Sequence, residues 1–452
     1  MIINFSTSQN TPSLHRDLNI AGELFSAQYL LDTAIASGFI KRAPRKIDAA
    51  GLLAELCALC LGVSPSYNDI AARMDASSAD CGPSRQAVRF RMSEAFEAFL
   101  GCILEDVIFH KITGENTCPV ELAERFRGYN RVLVQDSTVI KLPGHLFAEF
   151  SGVSNGESIV CNARIQAVYE LISRRLIGFS IDPYSKNDLS AAPELALQPG
   201  DLVLRDRGYL TFDEVRRHRA AGADCIYRHK TGMHYLSPET LAPIDLPAML
   251  RQHGALDMEV LLHNPERTRV RLIAAPIDQE SANVRRMKAR KDTKGHNPSH
   301  AVLELMDWSI FITTIPAAEA DFERILAIYG LRWRIEIIFK AWKSHMNFHR
   351  LHRVSKRQMS ILLKARLLLI ACATNILHGP LEATLRNGHA RSLSLLKFMR
   401  YLALTPDNFL RALHSLSMSA DQARGFHQAL IRYCCYEKRT RRNFSDEWEE
   451  LA

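Results

Sequence analysis

Three carboxylates stand at places in the sequence where an acidic side chain needs a physical reason. Asp136 interrupts the alternating strand pattern "RVLVQDSTVIKL" on the same face as Val132 and Val134, and a buried carboxylate is costly without a partner. Asp206 follows the apolar run "LVL", at a strand end where α/β folds often place ligand-binding acids. Glu336 lies in an amphipathic segment much later in the chain. Each acid alone is commonly a helix cap or an ion-pair member, so any chemistry must come from the set.

Carboxylates contributed by two strands and one helix suit phosphoryl transfer with two metal ions. Mg²⁺ is a hard cation that selects oxygen ligands, and two ions about 4 Å apart activate the attacking oxygen and stabilise the leaving one. The sequence therefore predicts that Asp136, Asp206 and Glu336 are catalytic and hold two Mg²⁺ ions, for which Mn²⁺ can substitute. Asp182 and Asp188, in "IDPYSKNDLS", compete for a carboxylate role, but their neighbours predict a loop and a dispensable side chain.

The segment "YGLRWRIEIIFKAWKSH", residues 329–345, predicts one continuous helix with an unusual polar stripe. At about 100° per residue, Tyr329, Arg332, Glu336 and Lys343 fall within roughly 60° of one another. The stripe is about 21 Å long at about 1.5 Å per residue. A separate apolar arc is predicted to face a core and contains Leu331, Ile335, Ile338, Phe339 and Trp342. An ordinary amphipathic helix with an Arg–Glu pair four residues apart is the competing interpretation.

The spacing of these four polar residues resembles a known family signature. Two residues separate Tyr329 from Arg332, three separate Arg332 from Glu336, and six separate Glu336 from Lys343. This spacing is similar to the YREK signature of bacterial insertion-sequence DDE transposases, specifically the insertion-sequence-four family. "VLVQDST" and "DRGY" resemble the first and second Asp motifs of that family, and "WSIFITTIP" resembles its strand before the signature. The resemblance covers roughly residues 128–376. It implies an RNase-H-like core with a β-rich insertion between the second Asp and the Glu.

The same resemblance implies a metal-dependent DNA transposase that acts by cut-and-paste. It implies cleavage at the element ends and transfer of the freed 3′-OH into target DNA, with a hairpin at the element end and two protomers in the synaptic complex. Glu336 would hold metal, Arg332 and Lys343 would grip phosphates, and Tyr329 would position the strand. The implied partners are double-stranded terminal inverted repeats and target DNA. Two alternatives stay open: a catalytically silent DNA-binding regulator derived from a transposase, and a metal-dependent nuclease without strand transfer.

The expected fold class is α/β, with an RNase-H-like mixed sheet flanked by helical regions. Residues 1–127 are predicted to form a helical DNA-end-binding domain, since the pattern from about 14 to 112 contains helices and no convincing strand. Residues 128–376 are the predicted catalytic domain, with the β-rich insertion at about 225–306. Residues 377–452 are predicted to be a helical C-terminal region and a candidate for dimerisation.

Within the N-terminal helices, "SYNDIAARMDASSADCGPSRQAVRFRMS" resembles a helix-turn-helix. Ser84 can N-cap the second helix, and Arg85 and Arg89 on that helix are the predicted DNA contacts. The connection is longer than the usual three or four residues. Two packed helices with a basic exposed face are therefore the alternative.

Composition supports a polyanionic partner. The net charge is +8 and the pI about 9.0, which favours nucleic acid without proving it. The basic tract "RRMKARKDTK", from Arg285 to Lys294, is interpreted either as a phosphate contact or as a solvated helix face. No phosphate-binding G-x-x-x-x-G-K-[ST] loop occurs, so ATP chemistry is unsupported.

Cysteine usage points to a reducing, cytosolic setting, and the resemblance to bacterial transposases implies the bacterial cytoplasm in association with the nucleoid. The ten Cys are sparse, and Cys57 and Cys60 in "LLAELCALCLG" are expected to be buried helix residues. The most apolar stretch, "ILLKARLLLIACATNIL", is interrupted by Lys364 and Arg366. It is therefore predicted to be a core helix and not a membrane span, and no membrane partner is expected.

Overall fold

The computed structural model describes most of the chain, with the following ranges: 25–42, 46–60, 65–78, 81–109, 126–152, 160–192, 195–292, 297–351, 354–416 and 418–436. These residues form two units, each assembled from stretches that are not consecutive. The first unit contains the described residues of Met1–Val120, Ser137–Pro193 and Arg334–Asn443. The second contains those of Glu121–Asp136 and Glu194–Trp333.

Helices alone make up the described N-terminal residues up to position 109, as the sequence predicts. Serine side chains cap several of them, because a Ser oxygen accepts from a free backbone N–H in the first turn. Ser66 caps the third helix: its Oγ accepts from the Asp69 N–H, and its own N–H donates to the Asp69 carboxylate. Ser84 caps the fourth helix. The helices are α1 Ala27–Ala36, α2 Ala49–Cys60, α3 Tyr67–Ala76, α4 Arg85–Arg91 and α5 Glu94–Phe109.

One nine-stranded mixed sheet has the strand order β3-β2-β1-β4-β5-β9-β8-β7-β6. Its strands are β1 Arg131–Lys141, β2 Asn162–Glu170, β3 Arg175–Pro183, β4 Asp201–Arg205, β5 Asp224–Arg228, β6 Tyr235–Leu236, β7 Leu256–Leu262, β8 Arg269–Pro276 and β9 Trp308–Thr313. Strands β1, β4 and β5 are parallel, whereas β9 is antiparallel to β5 and β8. All five residues of β4 are buried, as expected for a central parallel strand covered on both faces. The predicted α/β fold class is confirmed.

The region predicted as a β-rich insertion continues this same sheet. The segments "MEVLLH" and "RVRLIAAP" of this region contribute to β7 and β8, which pair antiparallel. The first residues of the predicted range belong to β5, which is bonded to β4 and β9. The intervening helices are α6 Asp188–Ala191, α7 Phe212–Ala220, α8 Leu246–His253, α9 Gln279–Asp292 and α10 His300–Glu304.

The prediction of one continuous helix over residues 329–345 is wrong. The segment forms two helices, α11 Phe322–Gly330 and α12 Trp333–Ser344, with a turn between them. In that turn the Leu331 N–H donates to the Ile328 carbonyl at 3.1 Å and the Arg332 N–H to the Tyr329 carbonyl at 3.0 Å. These bonds span three residues, as in a 3₁₀ turn, where an α-helix would span four. The predicted apolar arc is nevertheless buried, at Leu331, Ile335, Ile338, Phe339 and Trp342.

The C-terminal part contains α13 Lys356–Ala371, a π-helical stretch Cys372–His378, α14 Gly379–His389, α15 Leu395–Leu404, α16 Pro406–Ser415 and α17 Ala420–Tyr433. The stretch Lys356–His389 is long and apolar enough to cross a membrane, but its apolar window is 100 % buried in the protein. Its cations have partners inside the protein: Lys364 pairs with Glu97 at 3.1 Å, and Arg366 donates to the Arg350 carbonyl at 2.9 Å. The prediction of a core helix is confirmed.

Candidate active site

Two predicted catalytic acids come at matching positions on neighbouring strands. Gln135 of β1 pairs with Arg205 of β4 in a parallel register. The next residues, Asp136 and Asp206, therefore lie at the same level, where β4 ends and β1 continues to Lys141. Adjacent strands lie about 4.8 Å apart, so these two acids are close neighbours.

The same register adds a cation that the sequence analysis did not single out. Leu204 of β4 pairs with Ile226 of β5, which places Arg228 two residues further on at the level of Asp206. Residues two apart on a strand share a face. The position of Arg228 follows from the register between β4 and β5, and a single sequence does not reveal that register.

Arg332 binds the first of these acids directly. Its Nη1 donates to Asp136 Oδ2 at 2.9 Å, and both side chains are largely buried, at 14 % and 18 % exposed. The turn between α11 and α12 positions Arg332, so the break in the predicted helix is what directs this side chain. A predicted phosphate-binding cation and a predicted catalytic acid are thus partners in this structure.

Tyr329 lies beside the same group of charges. Its ring packs against Phe311 at 5.1 Å between centroids, and the Arg332 guanidinium carbon is 5.8 Å from the ring centre. Burial raises the pKa of Tyr329. The positive charges of Arg332 and Arg228 lower this pKa, and the negative charge of Asp206 raises it. The net shift is upward, so the phenol keeps its proton and can donate a hydrogen bond at neutral pH.

Asp206 begins a tight turn. Its backbone is extended, its carbonyl accepts from the Tyr209 N–H at 3.0 Å, and the 3₁₀ turn Arg207–Tyr209 follows. Thr211 then caps α7 by accepting from the Glu214 N–H. The motif "DRGY" therefore places its acid between the end of a buried strand and the start of a helix.

Glu336 and Lys343 lie in the first and last turns of α12, in the unit that does not contain Asp136 and Asp206. A carboxylate in the first turn is favoured by the helix dipole. Burial lowers the pKa of Lys343. The apolar side of α12 fixes the helix, with the Trp342 ring tilted against Phe179 at 5.5 Å between ring centroids. The roles of Glu336 and Lys343 stay predictions.

The two aspartates fit a hard divalent cation in their donor chemistry. Both offer carboxylate oxygens at the same level of neighbouring strands, and oxygen is the donor that such ions prefer. The guanidinium on Asp136 is a positive charge already accommodated against that carboxylate. Among the residues that the structure describes, no group of three or more His, Cys, Asp or Glu side chains is arranged to hold a metal ion. Glu336 as the third ligand therefore remains a prediction.

The competing acids lie in regular structure and not in the predicted loop. Asp182 is in β3, is almost fully buried and pairs with Lys186 at 2.6 Å. Asp188 is the first residue of α6 and pairs with Arg164. It also accepts from Ser137 Oγ at 2.6 Å, a tertiary contact that local turn composition could not indicate. Both acids are thus engaged in ion pairs of their own.

The basic N-terminal helix has the predicted local structure. Ser84 caps α4, and Ile70, Ala71 and Met74 of α3 are buried. Arg85 and Arg89 are exposed on α4, whereas Arg91 donates to the carbonyls of Phe39 and Ile47, both at 3.2 Å. DNA contact by Arg85 and Arg89 stays a prediction.

The basic tract lies on α9, apart from Lys294 and its neighbours, which are outside the described residues. Arg285 and Arg286 contact the residues at the start of β9. Arg285 donates to the Trp308 carbonyl at 3.0 Å and to Ser309 Oγ at 3.1 Å, and Arg286 pairs with Asp307. The other described cations of the tract, Lys288, Arg290 and Lys291, are exposed.

Comparison with known proteins places this arrangement in a family. Residues 128–376 match the sequence model of a family described as "Transposase DDE domain". The chain belongs to this family. The predicted recognition as an insertion-sequence DDE transposase is confirmed. Dependence on a divalent metal is a general property of the family.

Curated relatives bear transposase names. The chain is 25 % identical over 316 residues to the transposase for insertion sequence element IS231E of Bacillus thuringiensis subsp. finitimus, covering 64 % of each chain. It is 25 % identical to the IS231C transposase of Bacillus thuringiensis subsp. berliner, over 79 % of this chain and 78 % of the relative. It is 22 % identical to the IS1151 transposase of Clostridium perfringens, over 65 % and 67 %. The match thus spans less than two thirds of the IS231E transposase.

A solved structure is similar at a low level. A cryo-EM structure of the piggyBac transposase synaptic complex with hairpin DNA aligns over 96 % of this chain and 88 % of that chain. The TM-score is 0.43 and the sequence identity 11 %. A likeness of that size supports no conclusion about this chain.

Proposed function

We propose that this chain is the DNA transposase of an insertion sequence, cutting DNA at the element ends and joining the freed 3′-OH to target DNA. The observation that carries the proposal is the pair Asp136 and Asp206 at the same level of neighbouring parallel strands, with Arg332 bonded to Asp136, inside a matched transposase DDE domain. Acids and a phosphate-binding cation together are what phosphodiester chemistry requires.

In this proposal Asp136, Asp206 and Glu336 hold Mg²⁺, with Mn²⁺ as a substitute. Bound ions of this kind supply Lewis acidity and an activated oxygen nucleophile. In this proposal the chain supplies the three carboxylates, and nearby cationic side chains offset their negative charge. Arg332 offsets the charge of Asp136 when no other cation is present.

The remaining polar residues of the signature act on the DNA. The planar fork of Arg332 can hold two phosphate oxygens. Lys343 supplies a point charge for a neighbouring phosphate, and the protonated Tyr329 hydroxyl can donate to another phosphate oxygen. Arg228, at the level of Asp206, adds a further positive charge to the same strand ends.

The proposed partners are the terminal inverted repeats and the target, both double-stranded DNA. Two protomers would bind in a synaptic complex, with the C-terminal helices as the candidate dimer contact. A hairpin at the element end is the proposed intermediate, and Arg85 and Arg89 would hold the end from the N-terminal helices. The proposed location is the nucleoid in the bacterial cytoplasm, where this substrate lies.

Incubation of the protein with Mg²⁺, labelled element ends and a target plasmid tests the proposal against its two rivals. A transposase gives joined products, a nuclease gives cut ends only, and a silent regulator gives binding only. Joined products are expected. Cut ends without joining, or binding alone, would assign the chain to the corresponding rival.

Substitution of the acids tests the site. Asp136→Ala, Asp206→Ala and Glu336→Gln should each abolish nicking while end binding persists, because a metal ligand contributes to chemistry more than to DNA affinity. Lys343→Ala should weaken end binding and still permit the first nick. Single-turnover nicking and gel-shift affinity on one oligonucleotide end give both quantities. Nicking at the wild-type rate by any of the three acid variants removes that residue from the site.

A further inference from the structure

A buried ion pair lies directly behind Asp206. Arg205, the last residue of β4, is 1 % exposed, and its Nη1 binds Glu214 Oε2 on α7. Arg217 also donates to Glu214 Oε2, at 3.1 Å. The Arg205 guanidinium carbon lies 5.5 Å from the centre of the Tyr209 ring. Glu214 thus joins the strand end to the first turn of the following helix.

This pair closes the loop that carries Asp206. The chain leaves β4 at Arg205, turns through Arg207–Tyr209 and enters α7 before it reaches Glu214. Because successive side chains of a strand alternate between faces, Arg205 is directed to the face opposite Asp206. The ion pair therefore holds the turn on one face of the sheet, and the carboxylate of Asp206 is directed to the other face.

Contacts of a buried histidine surround this ion pair. His218, fully buried, bonds through Nδ1 to the Glu214 carbonyl, and its ring meets Tyr227 of β5 edge-on at 6.1 Å. Two buried charges are expensive to desolvate, and in some proteins a buried ion pair specifies a geometry that hydrophobic residues would not. A hydrophobic pair of similar volume would fill the same space without directing the strand end.

We propose that Arg205 and Glu214 are positioning residues for Asp206, whose buried ion pair sets the orientation in which that carboxylate meets a divalent cation. The proposal rests on the proposed function, since it takes Asp206 as a metal ligand. Neither residue touches the metal or the DNA. Groups that orient metal ligands typically change metal affinity or activity by about 10- to 100-fold when removed.

The test is a double variant, Arg205→Met with Glu214→Leu, which removes both charges together and leaves no single buried ion. Mn²⁺ affinity is measured by electron paramagnetic resonance on the full chain, with and without an end oligonucleotide. Thermal melting and gel-shift affinity report the fold and DNA binding. The expected result is a folded protein with wild-type end binding and about 10-fold weaker Mn²⁺ binding.

The control is another arginine–carboxylate pair of the same unit, in which the arginine is buried and the carboxylate is partly exposed. Arg271 of β8 makes two bonds of 2.6 Å to Asp257 of β7. Three strand spacings separate β8 from β4 in the sheet order, roughly 14 Å at the usual strand separation. Arg271→Met with Asp257→Leu should therefore change melting alone and leave Mn²⁺ affinity at the wild-type value.

The outcomes distinguish the positioning role of Arg205 and Glu214 from the proposed metal site at Asp206. Asp206→Asn is measured in parallel, and wild-type Mn²⁺ binding and nicking by that variant would overturn the metal site itself. Loss of Mn²⁺ binding in Asp206→Asn together with wild-type affinity in the double variant would overturn the positioning role alone. If the double variant does not fold, Arg205→Lys, which keeps the charge and loses the planar fork, decides by the same Mn²⁺ measurement.

Discussion

Asp136 and Arg332 form an ion pair, and this contact bears on the proposed site at the scale of the residue. The contact of 2.9 Å gives the carboxylate a positively charged partner in this structure. In the proposed function, Asp136 binds a metal ion and Arg332 binds a phosphate. Under that proposal, the ion pair competes with metal binding in the DNA-free protein.

Arg332→Gln tests this competition. Removal of the positive charge should tighten Mn²⁺ binding by DNA-free protein about fivefold, the factor for roughly 1 kcal/mol between unit charges 4 Å apart in water. The same variant should bind element ends more weakly, since it loses a phosphate contact. Paramagnetic resonance and gel shifts measure the two effects. Arg251→Gln, which disturbs an exposed pair with Glu304, is the control; unchanged or weaker Mn²⁺ binding in Arg332→Gln would contradict the competition.

The basic helix α9 divides, at the scale of the element, into cations with different tasks. Arg285 and Arg286 are bonded to the chain around β9, whereas Lys288, Arg290 and Lys291 are exposed. Exposure gives a cation access to phosphate. The alternatives for the tract, phosphate contact or solvated face, are therefore tested at its exposed cations.

Replacing Lys288, Arg290 and Lys291 by Gln should reduce the salt dependence of DNA binding by about one unit of slope for each lost phosphate contact. Arg285→Gln should instead lower the thermal midpoint, because it leaves the Trp308 carbonyl and Ser309 without their donor. Binding isotherms at several salt concentrations and melting curves distinguish the two. An unchanged slope in the triple variant would mean that the exposed cations form only a solvated face.

Elements were predictable from the sequence where local pattern decides them. Strands β7 and β8 form in segments rich in β-branched and apolar residues, and Ser84 caps its helix because the local chemistry suffices. The break before Arg332 was missed, since a helical pattern continues across it and only the two short turn bonds reveal it. The pair Arg205 and Glu214 was missed because it depends on how α7 packs against β4. Asp136 and Asp206 were predictable as acids, but their common level required the register of two strands.

At the scale of the whole molecule, each unit buries a histidine. His218 is fully buried in the second unit, and His378, 7 % exposed, lies in the first and bonds through Nε2 to the Leu393 carbonyl at 3.2 Å. Burial lowers the pKa of both imidazoles, which is the first and largest cause in each case. An unfolded histidine has a pKa of about 6.5. Below that value the unfolded chain binds protons that the folded chain excludes.

Acidification from pH 7.5 to pH 5.5 should therefore destabilise the protein, by at most about 1.4 kcal/mol per pH unit for each histidine. The native state gains stability as pH rises through the unfolded pKa, since the unfolded state then loses its proton. Carboxylates with lowered pKa, such as Glu382, lose their contribution only below about 4.5, outside this window. The free energy of unfolding across this pH range is measured for the wild type, His218→Asn and His378→Asn. Each variant should show a shallower pH dependence, and slopes equal to the wild type in both would mean that other groups govern the acid response.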